Sequence, residues 1–181
     1  MKRAPEEFLT SRLLLRRPKG SDAKSILNRY ASDPDVTRYL GWPRHESLKQ
    51  TRNFIEYSND QWDRWPAGPY LVLLRENNLL IGGTGFSFET LYRAETGYLF
   101  AKDAWGQGYA TESLEAIITI ARTLNIHRLY ANCHIDHRNS WRVLEKCGFM
   151  REGILRKYSE FPNLQPGNPL DVFVYSLILS D

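Results

Sequence analysis

The alternation of apolar and polar residues along the chain predicts a series of strands interrupted by amphipathic helices. Apolar runs bounded by charged or turn-forming residues are typical of strands. Such runs lie at 13–15, 70–74, 79–88, 95–101, 128–134, 151–157 and 171–179. The residues Glu76, Asn77 and Asn78 separate the second run from the third, and an Asn-rich connection of this length predicts a β-hairpin.

Apolar residues that recur every three or four positions predict helices between these strands. The clearest helix follows Gly108, and its apolar face comprises Leu114, Ile117, Ile118, Ala121 and Leu124. Further helices are predicted at 21–31, 47–62 and 140–146, and a Pro- and Asn-rich loop at 161–169. Several strands precede the central helix and a strand–helix–strand unit follows it. The pattern therefore favours one mixed α/β (α+β) domain around a predominantly antiparallel sheet.

Length and composition are those of a single globular domain without a nucleic-acid or membrane partner. At 181 residues the chain is long enough to bury a sizeable core. Its 24 Lys and Arg against 21 Asp and Glu give a net charge of +3 with no separate basic block, which argues against nucleic acid. No apolar run approaches the ~18 residues of a membrane span, so a cytoplasmic protein is expected. Cys133 and Cys147 are too few for a disulfide framework, and reduced thiols are expected.

A turn with two glycines leads directly into the central helix, in the segment Trp105-Gly106-Gln107-Gly108-Tyr109-Ala110-Thr111-Glu112. Glycines spaced one residue apart let the backbone turn tightly with its N–H groups pointing inward. The first turn of a helix adds unpaired N–H groups and the positive end of the helix dipole. These features predict a cradle for a phosphate or pyrophosphate at 106–111, although a plain tight turn would use the same residues.

The turn does not match the usual nucleotide-binding fingerprints. A Walker loop has Lys and then Ser or Thr after its last glycine, whereas Gly108 is followed by Tyr109 and Ala110. A Rossmann fingerprint needs a third glycine, and it lies in a parallel βαβ unit opened by an early strand. The nucleotide-binding classes that carry these fingerprints are therefore not indicated.

A second segment carries a resemblance to a known family: Asn139-Ser140-Trp141-Arg142-Val143-Leu144-Glu145-Lys146-Cys147-Gly148-Phe149. Together with 105–112 it closely resembles the GNAT N-acetyltransferase superfamily, and within it the RimJ/RimL branch, which includes ribosomal-protein-alanine N-acetyltransferases. Further similarity at 95–99, 151–153 and 171–175 extends the resemblance from about Leu13 to Leu179. It implies a GNAT domain over residues 8–181 and an N-terminal extension over residues 1–7.

The resemblance implies acetyl-CoA as the donor, bound in a cleft where two central strands splay apart. Its pyrophosphate would lie on the backbone N–H groups of Gly106, Gln107, Gly108, Tyr109, Ala110 and Thr111. Its pantetheine arm would run along Leu99, Phe100 and Ala101, where one backbone N–H would face the thioester oxygen and stabilise its developing charge. His137 stands where the family often has an Asn that contacts the cofactor, and Trp105 stands where it often has Arg or Gln.

Transfer to a free amine requires an acceptor for the amine proton and a proton donor for the departing thiolate. Ser140 matches the position proposed in this branch to protonate the sulfur, although Ser is also a preferred helix N-cap. Glu95 is the first choice as proton acceptor, through a water molecule, and Glu152 and Glu160 are the next. For each of these residues a solvated surface carboxylate is the competing interpretation, which would leave water alone to accept the proton.

The absence of an obvious strong base favours an acceptor that is already partly neutral. An α-amine has a pKa of about 7.7 to 8, whereas a lysine amine has a pKa near 10.4. The N-terminal α-amine of a protein is therefore the preferred acceptor. The alternatives are a small-molecule amine such as a polyamine, an amino sugar or an antibiotic, and a non-catalytic acyl-CoA sensor. Both a monomer and a homodimer are compatible with the sequence.

Acceptor specificity is expected to lie in three loops, 39–47, 65–69 and 161–169. Aromatic residues at such spacings are more often core than ligand contacts. Those that would line an acceptor site are Trp42, Trp62, Trp65, Tyr158 and Phe161. No metal site is expected, because Cys133 and His134 are adjacent strand residues that point to opposite faces. Asp136 and His137 follow them, and no second cluster completes a site.

Overall fold

Residues 2–179, which the computed structural model describes, form one sheet of eight strands flanked by helices. The strands are β1 (Glu7–Leu9), β2 (Leu13–Arg16), β3 (Pro69–Leu74), β4 (Leu80–Thr90), β5 (Arg93–Phe100), β6 (Arg128–His134), β7 (Met150–Phe161) and β8 (Gln165–Ile178). Their order in the sheet is β1-β2-β3-β4-β5-β6-β8-β7. Only β5 and β6 pair in parallel. The predicted mixed, mostly antiparallel sheet is thus confirmed.

The helices form where the sequence supplies caps and an apolar face. They are α1 (Ala23–Ile26), α2 (Pro34–Thr37), α3 (Leu48–Arg64), α4 (Tyr109–Thr123) and α5 (Arg138–Lys146). Ser47 and Gln50 start α3 as a capping box, in which each side chain bonds to the other's backbone. The predicted apolar face of α4 packs into the core, where Leu114 and Ile117 are fully buried. Across residues 2–179, no helix is long and apolar enough to cross a membrane.

The helix predicted over 21–31 is interrupted. A 3-10 turn at Gly20–Asp22 precedes α1, and a wider π-type turn at Leu27–Ala31 follows it. The N–H of Ser32 donates to the carbonyl of Leu27, five residues earlier, at 3.2 Å. This widening carries Tyr30 into the core, where it is fully buried beside the sheet.

The prediction of a loop over 161–169 is wrong in its extent, because the observed connection is shorter. β7 continues to Phe161 and β8 already begins at Gln165, so only residues 162–164 connect them. The last pair of β6 with β8 joins His134 to Val172, and the earlier part of β8 has only β7 as a neighbour. A strand segment with one free edge tolerates proline, which explains why a Pro-rich stretch adopts strand structure here.

The N-terminal residues pack onto the domain. Ala4 is buried in the core, and its N–H donates to the carbonyl of Pro66 at 2.8 Å. The boundary expected at residue 8 falls inside β1, which begins at Glu7 and pairs with β2. Residues 1, 180 and 181, which the expected extension and domain include, lie outside the described residues.

Glu112, in the first turn of α4, holds the β1–β2 turn against the glycine turn. Its carboxylate accepts hydrogen bonds from Thr10 Oγ1 at 2.6 Å, Ser11 Oγ at 3.0 Å and Arg12 Nε at 2.6 Å. Arg12 also donates from Nη1 to the carbonyl of Gln107 at 3.0 Å. Burial alone would raise the pKa of Glu112, but the hydrogen bonds from Thr10 and Arg12 lower it to about 2. The carboxylate is therefore ionised at neutral pH and ties the start of the chain to the turn before α4.

Candidate active site

The centre of the sheet is split where β5 and β6 part. Their parallel pairing comprises three residue pairs and ends with Glu95 and Tyr130. Beyond this point β5 keeps its pairing with β4, and β6 keeps its pairing with β8. The cleft expected between splayed central strands is thus confirmed, and its walls are the facing edges of residues 96–100 and 131–134.

A cavity of about 420 Å³ lies at this split and brings together four of the residues singled out in the sequence. They are Glu95, Leu99, His137 and Ser140. Aromatic side chains form much of the remaining wall, and they include Tyr39, Trp42, Phe54, Phe86 and Phe161. Among the lining residues, Glu95 is the one with a carboxyl side chain, and none is Lys or Arg. The cavity therefore combines one carboxylate with apolar and neutral polar surface.

Ser140 lies inside α5 and faces β5. Its Oγ donates to the Tyr98 hydroxyl at 3.3 Å, and that hydroxyl donates to the backbone carbonyl of Ser140 at 2.6 Å. The alternative interpretation of Ser140 as the N-cap is wrong, because α5 begins at Arg138 and His137 occupies the N-cap position. The Ser140 hydroxyl is thus free of a capping role.

Glu95 is the last residue of β5 that pairs with β6, and it lines the cavity. Its carboxylate accepts a hydrogen bond from Asn132 Nδ2 on β6 at 3.1 Å. Burial raises the pKa of Glu95, and the nearby charge of Glu89 acts in the same direction. The hydrogen bonds from Asn132 oppose this rise. A carboxyl group in such a place can exchange a proton closer to neutral pH than a surface glutamate can.

The other two glutamates do not line the cavity. Glu152 forms an ion pair with Arg128 and accepts a hydrogen bond from Ser176 Oγ at 2.7 Å. These two partners lower the pKa of Glu152 to about 2, which makes it a poor proton acceptor. Glu160 is exposed to solvent on β7. Of the three candidate bases, only Glu95 is placed at the cavity.

His137 stacks on the ring of Tyr39, which also lines the cavity. Its ring lies 4.6 Å from the Tyr39 ring, centroid to centroid, at an interplanar angle of 22°. Burial, with a smaller contribution from His134, lowers the pKa of His137 to about 4. The imidazole is therefore neutral at pH 7 and can offer one donor and one acceptor.

The backbone of the glycine turn has the conformation that its sequence predicts. Gly106 and Gly108 adopt positive φ angles of 73° and 80°, and α4 begins directly after them. Within residues 2–179 no group accepts a hydrogen bond from the backbone N–H groups of residues 106–111, whereas the N–H of Glu112 donates to Gly108. The turn lies outside the cavity lining, so phosphate-binding and reacting ends of a ligand would occupy different places. These free donors and the helix dipole fit a pyrophosphate.

The free edge of β5 presents alternate backbone groups to the cleft. The N–H of Ala101 donates to Ile81 at 2.8 Å, on the β4 side, and the carbonyl of Phe100 accepts from the Trp105 indole at 2.7 Å. Backbone groups of consecutive strand residues point to opposite edges. Of the three residues expected along the pantetheine arm, Phe100 is therefore the one whose N–H faces the cleft.

Sequence reasoning missed several side chains of the site and left the aromatics open between core and cavity lining. Tyr98 lies within the 95–99 motif but was given no role, and its contact with Ser140 depends on how α5 packs against β5. Trp42 and Phe161 line the cavity as expected. Trp62 is buried in the core and Trp65 stacks on Phe88, while Tyr158 is exposed.

Comparison with known proteins agrees with this arrangement. Residues 12–150 match the family model described as acetyltransferase (GNAT) domain. The chain is 32% identical over 176 residues to the uncharacterized N-acetyltransferase p20 of Bacillus licheniformis, with 96% of each sequence covered. It is 30% identical over 128 residues to the ribosomal-protein-serine acetyltransferase of Escherichia coli, covering 68% of this chain and 70% of that one. RimL, a ribosomal alpha-N-protein acetyltransferase solved with coenzyme A, has the same fold, with a TM-score of 0.84 and 24% identity over 95% of this chain and 97% of that one.

The split sheet and the free N–H groups of the glycine turn fit a phosphate-bearing donor, and the family match gives the class of the enzyme. The chain belongs to the GNAT acetyltransferase family. It is an N-acetyltransferase, an enzyme that needs an acetyl donor, and the RimL structure of the same fold holds coenzyme A. The free N–H groups of the glycine turn and the free edge of β5 are the features of this chain that fit the donor.

We expect Gly108→Val to abolish acetyl-CoA binding. A β-branched residue is strained at a φ of 80°, so the turn would move and its N–H groups would lose their common direction. Isothermal titration calorimetry with acetyl-CoA measures this loss. Gly153→Val is the matched control, because Gly153 lies in β7 with open space around it and no positive φ. Tight binding by Gly108→Val would show that the pyrophosphate lies elsewhere.

Proposed function

We propose that the enzyme acetylates the N-terminal α-amine of a protein, by direct attack of the amine on the thioester of acetyl-CoA. The observation that carries this proposal is the charge of the cavity, in which Glu95 provides a single carboxylate among aromatic and neutral polar groups. One carboxylate complements one amine. A chain terminus presents one amine at the end of a slender, otherwise neutral backbone.

The same observation argues against the polycationic alternatives. A polyamine or an amino-sugar antibiotic with several amino groups would bring further cations close to the reacting one, and desolvated cations without partners are costly. The cavity lining offers no second carboxylate to receive them. A small monoamine carries no such penalty, and it is therefore the alternative that the experiment below must separate from a protein terminus.

The protonation of the acceptor supports an α-amine as well. Burial raises the pKa of Glu95, and this is the one carboxyl group among the lining residues, so an acceptor that needs little deprotonation suits the site. An α-amine, with a pKa of about 7.7 to 8, is partly neutral before it binds. The name of the Escherichia coli relative, a ribosomal-protein-serine acetyltransferase, is consistent with a protein acceptor of this type. A ribosomal acceptor would place the reaction in the cytoplasm.

In the proposed mechanism each side chain has a role set by its position. Glu95 accepts the amine proton, directly or through a water molecule, at the floor of the cavity. The backbone N–H of Phe100 faces the thioester oxygen and stabilises the charge that develops on it. Ser140 donates a proton to the departing thiolate, with its hydroxyl held by Tyr98. The donor's pyrophosphate lies on the N–H groups of residues 106–111, and His137 contacts the donor as a neutral ring.

Release of free thiol from acetyl-CoA with a panel of amines tests the proposed acceptor. The panel contains peptides that begin with Ser or Ala, the same peptides with a blocked N-terminus and a free lysine, a polyamine, an amino sugar and a simple monoamine. We expect thiol release with the free N-termini and none with the blocked peptides. Release with the small amines alone would contradict the proposal and indicate a metabolite or antibiotic acceptor.

Replacing Ser140 by Ala should lower kcat by about a hundredfold, which is the scale of lost general acid catalysis. The Kd for acetyl-CoA should change less than about twofold, because the Ser140 hydroxyl bonds to Tyr98 and to none of residues 106–111. Stopped-flow kinetics and calorimetry measure the two quantities. The exposed Ser21→Ala variant serves as control. Unchanged turnover in Ser140→Ala would remove Ser140 from the mechanism.

Replacing Glu95 by Gln should remove the acid limb of the pH profile of kcat/KM that belongs to the enzyme. Because burial raises the pKa of Glu95, its carboxylate is protonated at a higher pH than an exposed glutamate, and activity should fall as the pH is lowered through that value. The amide cannot titrate, so Glu95→Gln should show a low and flatter profile. Glu152→Gln should keep the wild-type profile, and an unchanged limb in Glu95→Gln would rule out Glu95 as the base.

A further inference from the structure

One wall of the cavity is an irregular segment between α2 and α3. We call residues 38–44 the acceptor wall, because Tyr39, Leu40, Gly41 and Trp42 line the cavity. The segment has no regular secondary structure, and the N–H of Leu40, which donates to the carbonyl of Thr37 at 3.0 Å, ties only the start of the segment to α2. Its shape therefore depends on contacts from other parts of the chain.

A single side chain from the β7–β8 connection forms hydrogen bonds with backbone groups in and next to this segment. Asn163 lies in the turn that joins β7 to β8, and its Nδ2 donates to the carbonyl of Thr37 at 2.8 Å and to the carbonyl of Trp42 at 2.9 Å. Its Oδ1 accepts from the backbone N–H of Arg44 at 2.8 Å. Both donors and one acceptor position of the amide are used, which leaves little freedom in its orientation.

We propose that Asn163 is a positioning residue that determines acceptor specificity. It fixes the positions of Tyr39 and Trp42 in the cavity lining, and thereby the room that the cavity leaves for the first residue of the acceptor. The three hydrogen bonds bracket the wall, with Thr37 before it and Trp42 and Arg44 at its end. These bonds thereby fix the position of the acceptor wall, and with it the positions of Tyr39 and Trp42 in the cavity lining.

Aromatic contacts orient the wall's side chains but do not replace these bonds. Tyr39 stacks on His137, and Trp42 packs with its ring 6.5 Å from that of Phe54 and 4.9 Å from that of His45. Such contacts tolerate sliding of the rings. Hydrogen bonds to backbone groups allow a narrower range of distances and angles than ring contacts do. Asn163 therefore sets the position of the acceptor wall.

The acceptor wall meets the donor side through the stack of Tyr39 on His137, and the other groups of the donor side are held by residues outside the wall. The glycine turn is held by Glu112 and Arg12, and Ser140 is held by Tyr98. Asn163 contacts neither group. A change at Asn163 is therefore expected to act on the acceptor and to leave acetyl-CoA binding in place.

The inference rests on the proposed function for the identity of the acceptor, and steady-state kinetics of Asn163→Ala test it. We expect KM for a Ser-initiated peptide to rise about tenfold, the equivalent of about one buried hydrogen bond. KM for acetyl-CoA should change less than about twofold. The preference in kcat/KM for a Ser-initiated over a Phe-initiated peptide should shrink by a similar factor. Asn168→Ala is the matched control, since Asn168 is an exposed residue of the same hairpin.

A second variant separates positioning from folding. Asn163→Asp keeps the size of the side chain and the acceptor for Arg44, but it loses both donors and places a carboxylate against two carbonyl oxygens. It should show the same shift in acceptor KM and selectivity, with Tm measured alongside for both variants. Unchanged acceptor KM and selectivity in either folded variant would overturn the inference, and so would an equal rise in both KM values.

Failure of this inference can be told apart from failure of the proposed function. If the wild-type enzyme acetylates no free N-terminus, the proposed function is wrong, and the Asn163 variants are measured with the amine that it does accept. A selective rise in KM for that amine still supports the positioning role. If free N-termini are acetylated and the variants behave as the wild type, only the inference about Asn163 is lost.

Discussion

The parting of β5 from β6 beyond Glu95 and Tyr130 is the constraint on which the rest of the site depends. In a fully paired sheet the inward N–H and C=O groups of β5 would bond to β6 and would not be available to a ligand. Because the strands separate, these groups need other partners, and the Trp105 indole supplies one for the carbonyl of Phe100. The same break in the ladder produces the free edge and the cavity, so the loss of pairing and the gain of a donor site have one origin.

The two sides of the split are stabilised by polar side chains that reach across long stretches of chain. Glu112 binds the β1–β2 turn on the donor side, and Asn163 binds the acceptor wall on the other. Tyr98 links β5 to α5 at the reacting centre. In each place several hydrogen bonds converge on one side chain and set the position of a segment or a catalytic group. Buried backbone groups require partners, and these side chains provide them where no ladder or helix does.

Features that depend on neighbouring residues could be predicted from the sequence. Gly106 and Gly108 adopt the positive φ that a tight turn needs, and α4 buries the face that its apolar period indicated. Two predictions from the sequence were wrong, the extent of the 161–169 loop and the start of α5, and in the first a distant strand outweighed the local sequence pattern. Residues 165–169 join β8 because β7 offers a partner, and α5 begins early enough to put Ser140 inside the helix.

The sequence by itself determined the family and predicted the donor and the phosphate cradle, because these follow from motifs whose residues are adjacent in the chain. Only the tertiary structure decided that Glu95 rather than Glu152 or Glu160 faces the cavity, since all three are glutamates near strands and differ only in what packs around them. The same holds for the contacts of Tyr98 with Ser140 and of Asn163 with Thr37, which join residues 42 and 126 positions apart. No local pattern records such pairs, because they form only when the packing of the whole sheet brings their elements together.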